Sequence, residues 1–177
     1  MKGVDEMTDN ELSGKLAALS KGDKYAFEEI YNEISTPAYT VAYRITNDRC
    51  LSEDIIQEFF IKLYQKPPIA APEKPRAYLL KMVHNLTIDK LEKQHISIDE
   101  CENMLHESDK SCDERIDLER AFKKLSPEER QLVTLHLNGG LKFREIADIT
   151  KTPLGTVLWR YRKAISKLRN ILNGGEQ

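Results

Sequence analysis

The chain has 177 residues, 40% of them hydrophobic and 32% charged, with a formal net charge of −2. That length holds one medium domain or two small ones, and the composition suits a charge-rich helical protein. No apolar run approaches the roughly 18 residues that cross a bilayer, and the polar stretch from Met1 to Asn10 has no signal-peptide core, so a cytoplasmic protein without membrane insertion is expected. The charge is unevenly spread. Residues 94–117 carry 2 basic and 8 acidic groups, residues 118–177 carry 12 basic and 6 acidic, and residues 1–93 carry 13 and 15. A basic end set off by an acidic strap points to polyanion binding by that end alone.

The elements are all helical. Thr8 and Glu11 have the spacing of a capping box and open a helix through about Ser20. Asp23 caps a second, with Phe27, Ile30, Tyr31 and Ile34 on one side; Pro37 is expected to break or kink it before Tyr39–Ile45 continues the pattern. Ser52, Glu53 and Asp54 form the start of a helix over about 53–66, in which Ile56, Phe60 and Leu63 share a core face. The proline-rich stretch 66–72 is a loop. A long helix follows over about 75–94, with Leu79, Met82, Val83, Leu86 and Leu91 available for burial. Residues 95–112 lack periodicity and read as an acidic linker.

Helical patterning resumes from Asp113 to Leu125. Ser126-Pro127-Glu128-Glu129 then supplies a cap, a proline at the first helical position and first-turn acids for a helix that stops at Gly139-Gly140. A short helix over about 142–149 leads through Thr150-Lys151 to Thr152-Pro153, read as the cap of a last helix running to about Leu172. The expected architecture is therefore all-α, two small helical domains (1–94 and 113–177) joined by the acidic linker. Two helices about a short turn, the second long and basic, make the C-terminal domain a helix-turn-helix.

At 100° per residue, Val157, Tyr161, Ala164, Leu168 and Ile171 of the last helix fall together and face a core. Gly155, Thr156, Trp159, Arg162, Lys163 and Ser166 lie opposite, with Arg160 and Lys167 on one flank and Arg169 on the other; no acid occurs between Ile149 and Gly175. Planar and polar groups flanked by cations suit a major groove, where bases are read at the centre and phosphates at the edges. Backbone amides around Thr152–Gly155 offer a phosphate seat.

No catalytic residue and no cofactor is expected. His84, Asn85 and Asp89 could be imagined as a polar site, but no paired-carboxylate, nucleophile-elbow or phosphate-loop motif accompanies them. Cys50, Cys101 and Cys112 form no CxxC pair, and with His95 and His106 they match no common zinc spacing, so neither a disulfide framework nor a metal site is expected. A self-sufficient helix-turn-helix regulator would dimerise to read two half-sites. Nothing here looks like a dimerisation helix, and residues 1–93 would have no task.

The motifs Leu125-Ser126-Pro127-Glu128-Glu129-Arg130, Arg144-Glu145-Ile146-Ala147 and Thr152-Pro153-Leu154-Gly155-Thr156-Val157, followed by Arg160 and Ala164, resemble the C-terminal domain of extracytoplasmic-function (ECF) sigma factors. The segment 52–64 is similar to the family helix that docks on the clamp helices of RNA polymerase, and 76–85 to the segment that meets the promoter's −10 element. The resemblance implies partners in core RNA polymerase (clamp helices and flap), promoter DNA and an anti-sigma factor. It implies −35 contacts from Lys142, Arg144, Thr152, Gly155, Thr156, Leu158, Trp159, Arg160, Arg162 and Lys163. For the −10 element it points to Lys66, Lys74, Arg76, Lys81, Asn85 and Asp89, and for the polymerase to Asp54, Gln57, Glu58 and Lys62. Tyr78 stands where the family usually has Trp, Glu92 and Gln94 where Arg is common, and Leu158 and Trp159 where basic and small polar residues are usual. An apolar contact by Trp159 or Leu158, such as one to a thymine methyl, is expected.

Overall fold

The computed structural model describes residues 7–68, 72–98 (backbone only beyond 93) and 120–172. The chain divides into two compact units, residues 1–92 and 93–177. In the first, helices α1 (Asp9–Ser20), α2 (Lys24–Thr46), α3 (Arg49–Gln65) and α4 (Pro75–Ile98) follow one another.

Local chemistry sets the helix starts. Thr8 and Glu11 make the expected reciprocal box, Thr8 N–H donating to Glu11 Oε2 at 2.8 Å and Glu11 N–H to Thr8 Oγ1 at 3.3 Å. Asp23 Oδ1 accepts from the amides of Tyr25 and Ala26 at 2.9 and 3.4 Å. Two expectations change. Pro37 does not break α2, which runs through it from Lys24 to Thr46. An internal proline costs a helix about 3 kcal/mol, but Ile30, Ile34, Ala38, Val41 and Ala42 on both sides of it are fully buried, and each large apolar side chain so buried contributes roughly 1.5–3 kcal/mol. The third helix begins at Arg49 and not near 53. Asn47 takes the left-handed conformation (φ 54°) that ends α2, and Asp48 caps α3 by accepting from Leu51 N–H at 2.9 Å. Ser52, expected as part of the start, is instead buried one turn inside, its hydroxyl 2.8 Å from that of Thr46.

The core of this unit is built from Leu12, Leu16, Ile30, Ile34, Ile55, Phe59, Leu63, Leu79, Leu80 and Val83. In α4 it is Leu80, and not Met82, that is fully enclosed. Ion pairs tie the helices: Lys15 to Glu29 across α1 and α2 at 2.6 Å, and Lys90 of α4 to Glu58 of α3 at 2.9 Å. Glu58 also receives Lys62 at 2.7 Å, and the hydrogen bonds from Lys62 and Lys90 hold its carboxyl down to about 2.

The second unit contains a helical turn at 120–123 followed by α5 (Pro127–Leu137), α6 (Phe143–Thr150) and α7 (Leu154–Leu172). Ala121, Phe122, Leu125, Val133, Ala164 and Leu168 form its core, with Tyr161, Ile165 and Ile171 packed against them. Gly140, at φ +66°, makes the turn out of α5 that an L side chain would strain. A ring cluster joins all three helices: His136 stacks on Phe143 at 4.3 Å, and Tyr161 meets both edge-on at 5.0 and 4.9 Å.

Glu129 is the clasp of this unit. Its carboxylate accepts from Ser126 N–H at 3.1 Å, completing the cap of α5, and from Lys167 Nζ of α7 at 2.7 and 2.9 Å. Burial disfavours its charge, yet the Lys167 ammonium and the Ser126 amide outweigh that and keep its pKa below the ordinary 4.5. A carboxyl depressed on folding stabilises above its unfolded value and loses that stabilisation as pH falls through the folded one. The wild-type unit should therefore lose stability from about pH 4.5 downward, and Lys167→Met should flatten that dependence. Fluorescence of Trp159, the single tryptophan, during urea unfolding at pH 3 to 7 reports it; equal slopes for the two proteins would contradict the assignment.

Candidate nucleic-acid and polymerase interfaces

In the second unit, α6 and α7 are joined by the three residues Lys151–Pro153. Lys151 adopts a left-handed backbone (φ 49°) that ends α6, and the chain turns at once into α7. Thr152 does not cap α7 as expected. Its amide donates to Ala147 O at 3.1 Å and its hydroxyl to Thr150 O at 3.1 Å, so it closes the end of α6. The first acceptor of α7 is the Pro153 carbonyl, bonded by the amides of Thr156 and Val157 at 2.9 and 3.0 Å. The reason is the left-handed Lys151, which places Thr152 under the preceding helix. The amides ahead of the first internal bond of α7 are then those of Leu154 and Gly155 alone.

Along α7, Val157, Ala164 and Leu168 are buried, as the periodicity required. Gly155, Trp159, Arg162, Lys163 and Ser166 are exposed, while Thr156, Leu158 and Arg160 are half-buried. Trp159 is 60% exposed, and Lys163 Nζ lies 5.0 Å from the centroid of its ring. A methyl group added at Gly155 would meet nothing within 4 Å, so nothing inside the unit requires a glycine there. Lys142 and Arg144 are exposed at the start of α6. Lys167 is not a free flank cation; Glu129 holds it.

In the first unit Asp54, Gln57 and Lys62 lie exposed along α3, with Glu58 half-buried between Lys62 and Lys90. Beside Gln57 opens a groove of about 580 Å³ between α2 and α3, lined by Phe27, Tyr31, Ile56, Phe60, Ile61 and Tyr64 with few polar atoms. Ile56 was expected in the core and is instead half-buried on this groove; Tyr31, Ile61 and Tyr64 are 46%, 55% and 47% exposed. Sequence periodicity missed the groove, although the pairs Phe27–Tyr31 and Phe60–Tyr64, each at i, i+4, were its signal. Phe27 meets Phe60 and Tyr64 edge-on at 6.0 and 5.2 Å, which fixes its walls.

Of the residues assigned to the −10 element, Lys66, Lys74, Lys81, Asn85 and Asp89 are exposed, the last three on one side of α4. Arg76 is different: its side chain is only 13% exposed and is engaged by Glu33 of α2. His84 is 7% exposed and burial lowers its pKa, so it is neutral at pH 7. Among the described residues no group of three His, Cys, Asp or Glu could hold a metal ion, and no helix is long and apolar enough to cross a membrane. The His95, Cys101, His106 and Cys112 side chains lie outside the described residues.

Residues 30–95 match the family model Sigma-70 region 2, and residues 115–168 match Sigma-70, region 4. The ECF RNA polymerase sigma factor SigK of Mycobacterium ulcerans (strain Agy99) is 25% identical over 93% of this chain and 95% of its own. This chain is an ECF sigma factor of the sigma-70 family. SigK of Mycobacterium tuberculosis (strain ATCC 25618 / H37Rv) is 24% identical over the same shares. Two solved structures share the fold of this sigma factor at 18% identity. The sigma factor RpoE in complex with the anti-sigma factor NepR from Bartonella quintana has a TM-score of 0.66, covering 83% of this chain and 96% of that one. CnrH in complex with the cytosolic domain of CnrY has 0.64, covering 93% and 98%. As a sigma factor the protein is a transcription initiation factor, not an enzyme; its partners are core RNA polymerase and promoter DNA.

Proposed function

We propose that the two units divide promoter recognition between them. Residues 1–94 dock on the polymerase clamp and hold the opened −10 strand, residues 113–177 read the −35 duplex, and the acidic residues 95–112 tether the two. The exposed face of α7 carries the −35 reading. It presents Trp159, Arg162 and Lys163 outward with a glycine at its entry, the arrangement that puts planar groups at base edges and cations at phosphates. Arg144 and Lys142 at the start of α6 and Arg160 on the flank complete the set, with Thr152, Thr156 and Leu158 at the rim.

On the first unit, Gln57 lines the apolar groove and, with the exposed Asp54 about one turn before it on α3, forms the polymerase surface. Glu58 and Lys62 serve it indirectly, since they already pair with each other and Glu58 with Lys90. Lys81, Asn85 and Asp89, with Lys66 and Lys74 at the loop flanks, face the opened strand. A cytoplasmic location and silencing by an anti-sigma factor accompany this reading; the similar RpoE structure is a complex with the anti-sigma factor NepR.

The test is run-off transcription from a promoter library with purified core polymerase. Adding this chain should select one promoter class, while the chain alone should bind duplex DNA weakly, because an overall acidic protein gains little from phosphate contact. Core enzyme initiating no better with the chain than without it, or tight dimeric binding of the chain alone, would refute the reading.

A further inference from the structure

Arg76 was expected to touch DNA, and its surroundings argue against that. It is the second residue of α4. Its guanidinium lies against the Glu33 carboxylate of α2 and donates to the backbone carbonyl of Met7, ahead of α1, at 3.2 Å. The two side chains are 13% and 10% exposed. A charge so enclosed and neutralised has little left to offer a phosphate. What it does have is reach: one planar fork joins the first turn of α4, the middle of α2 and the lead-in to α1, which a point-charge ammonium would do less well.

We propose that the Arg76–Glu33 pair is a latch that positions α4 for promoter opening, Arg76 being a positioning residue and not a DNA contact. The inference rests on the reading above, in which the Lys81–Asn85 side of α4 faces the opened strand. At 100° per residue Lys81 lies about 140° around the helix from Arg76, so the latch grips the inner side while the stripe looks outward. At 1.5 Å per residue Asn85 sits roughly 13 Å from Arg76. A tilt of about 10° at the first turn would then carry Asn85 about 2 Å, well beyond the roughly 0.5 Å within which a binding constellation must be held. Because both side chains are largely enclosed, removing either one leaves the other uncompensated, and the helix start must shift to rehydrate it. The latch therefore acts as a unit, and the two residues should be equivalent in effect.

The test uses the full chain with core polymerase and compares Glu33→Gln, Arg76→Gln and the double variant. Three quantities are read: affinity for core, permanganate reactivity of −10 thymines on a duplex promoter, and transcription from a template already melted at −10. Each single variant should lose opening about tenfold, and the double should be no worse than either. Core affinity should stay within twofold, and the melted template should restore transcription. A defect in Arg76→Gln with none in Glu33→Gln would overturn the latch, because the two residues would then not act as a unit. Loss of core affinity in step with opening, unrelieved by the melted template, would also overturn it, as a general loss of fold. Lys81→Ala and Asn85→Ala test the strand-facing stripe separately. If they open promoters normally while both latch variants fail, the latch stands and the assignment of that stripe falls.

Discussion

Replacing Ile61 by aspartate should lower the affinity of this sigma factor for core RNA polymerase about 100-fold while leaving its thermal unfolding unchanged. Ile61 is 55% exposed on the rim of the α2–α3 groove, so a carboxylate there costs the free protein almost nothing. In a complex the same carboxylate would be driven into an apolar seat beside Phe60 and Tyr64, desolvated and without a cation. Gln57 in the groove lining and Asp54 about one turn before it on α3 supply orientation, but truncation energies in interfaces concentrate in central, water-excluded apolar contacts, at 2 kcal/mol or more each. A factor of 100 corresponds to about 2.7 kcal/mol. Asp54→Ala and Gln57→Ala should have smaller effects. Glu58→Gln should act on stability, because its carboxylate is spent on Lys62 and Lys90. Titration of labelled sigma factor with core enzyme measures the first three, and thermal unfolding measures the fourth. Normal core binding by Ile61→Asp would remove the groove from the docking surface.

Trp159→Ala should weaken −35 binding by the holoenzyme about tenfold, and the loss should belong to a single methyl group on the DNA. An indole is a large apolar surface, and the one apolar feature of the major groove is the C5 methyl of thymine. Trp159 projects from α7 with Lys163 over its ring, so the ammonium is placed to reach a phosphate while the ring rests on a base step. A good base contact discriminates by about 1–3 kcal/mol, and tenfold is about 1.4 kcal/mol. Changing −35 thymines one at a time to deoxyuridine should reveal one position at which the wild type loses several-fold and Trp159→Ala loses nothing further. Unchanged promoter choice and affinity in Trp159→Ala would end the idea.

Much of the fold was readable from local patterns. The Thr8–Glu11 box, the Ser126 and Asp23 caps and the buried stripe Val157–Ala164–Leu168 all lie where spacing placed them, because each is decided within one or two turns of chain. The errors have a common origin. Pro37, judged by its own backbone chemistry, left a break or a kink open, and the burial of residues around it excluded the break. Thr152 was judged by the helix ahead of it, but the left-handed Lys151 behind it captured its amide and hydroxyl. Asp48 competed with Ser52 for the start of α3 and won by standing after a left-handed Asn47.

The sequence by itself determined the all-helical class, most helix starts, the exposed basic face of α7 and the family, since these depend on periodicity, capping and short motifs. Only the tertiary structure decided which charges remain available to partners. Arg76 finds Glu33 across 43 residues and Lys167 finds Glu129 across 38, and the aromatic groove forms only when α2 lies against α3. Such pairings depend on which helix faces meet. Periodicity along one helix identifies its face but carries no information about the face it will meet.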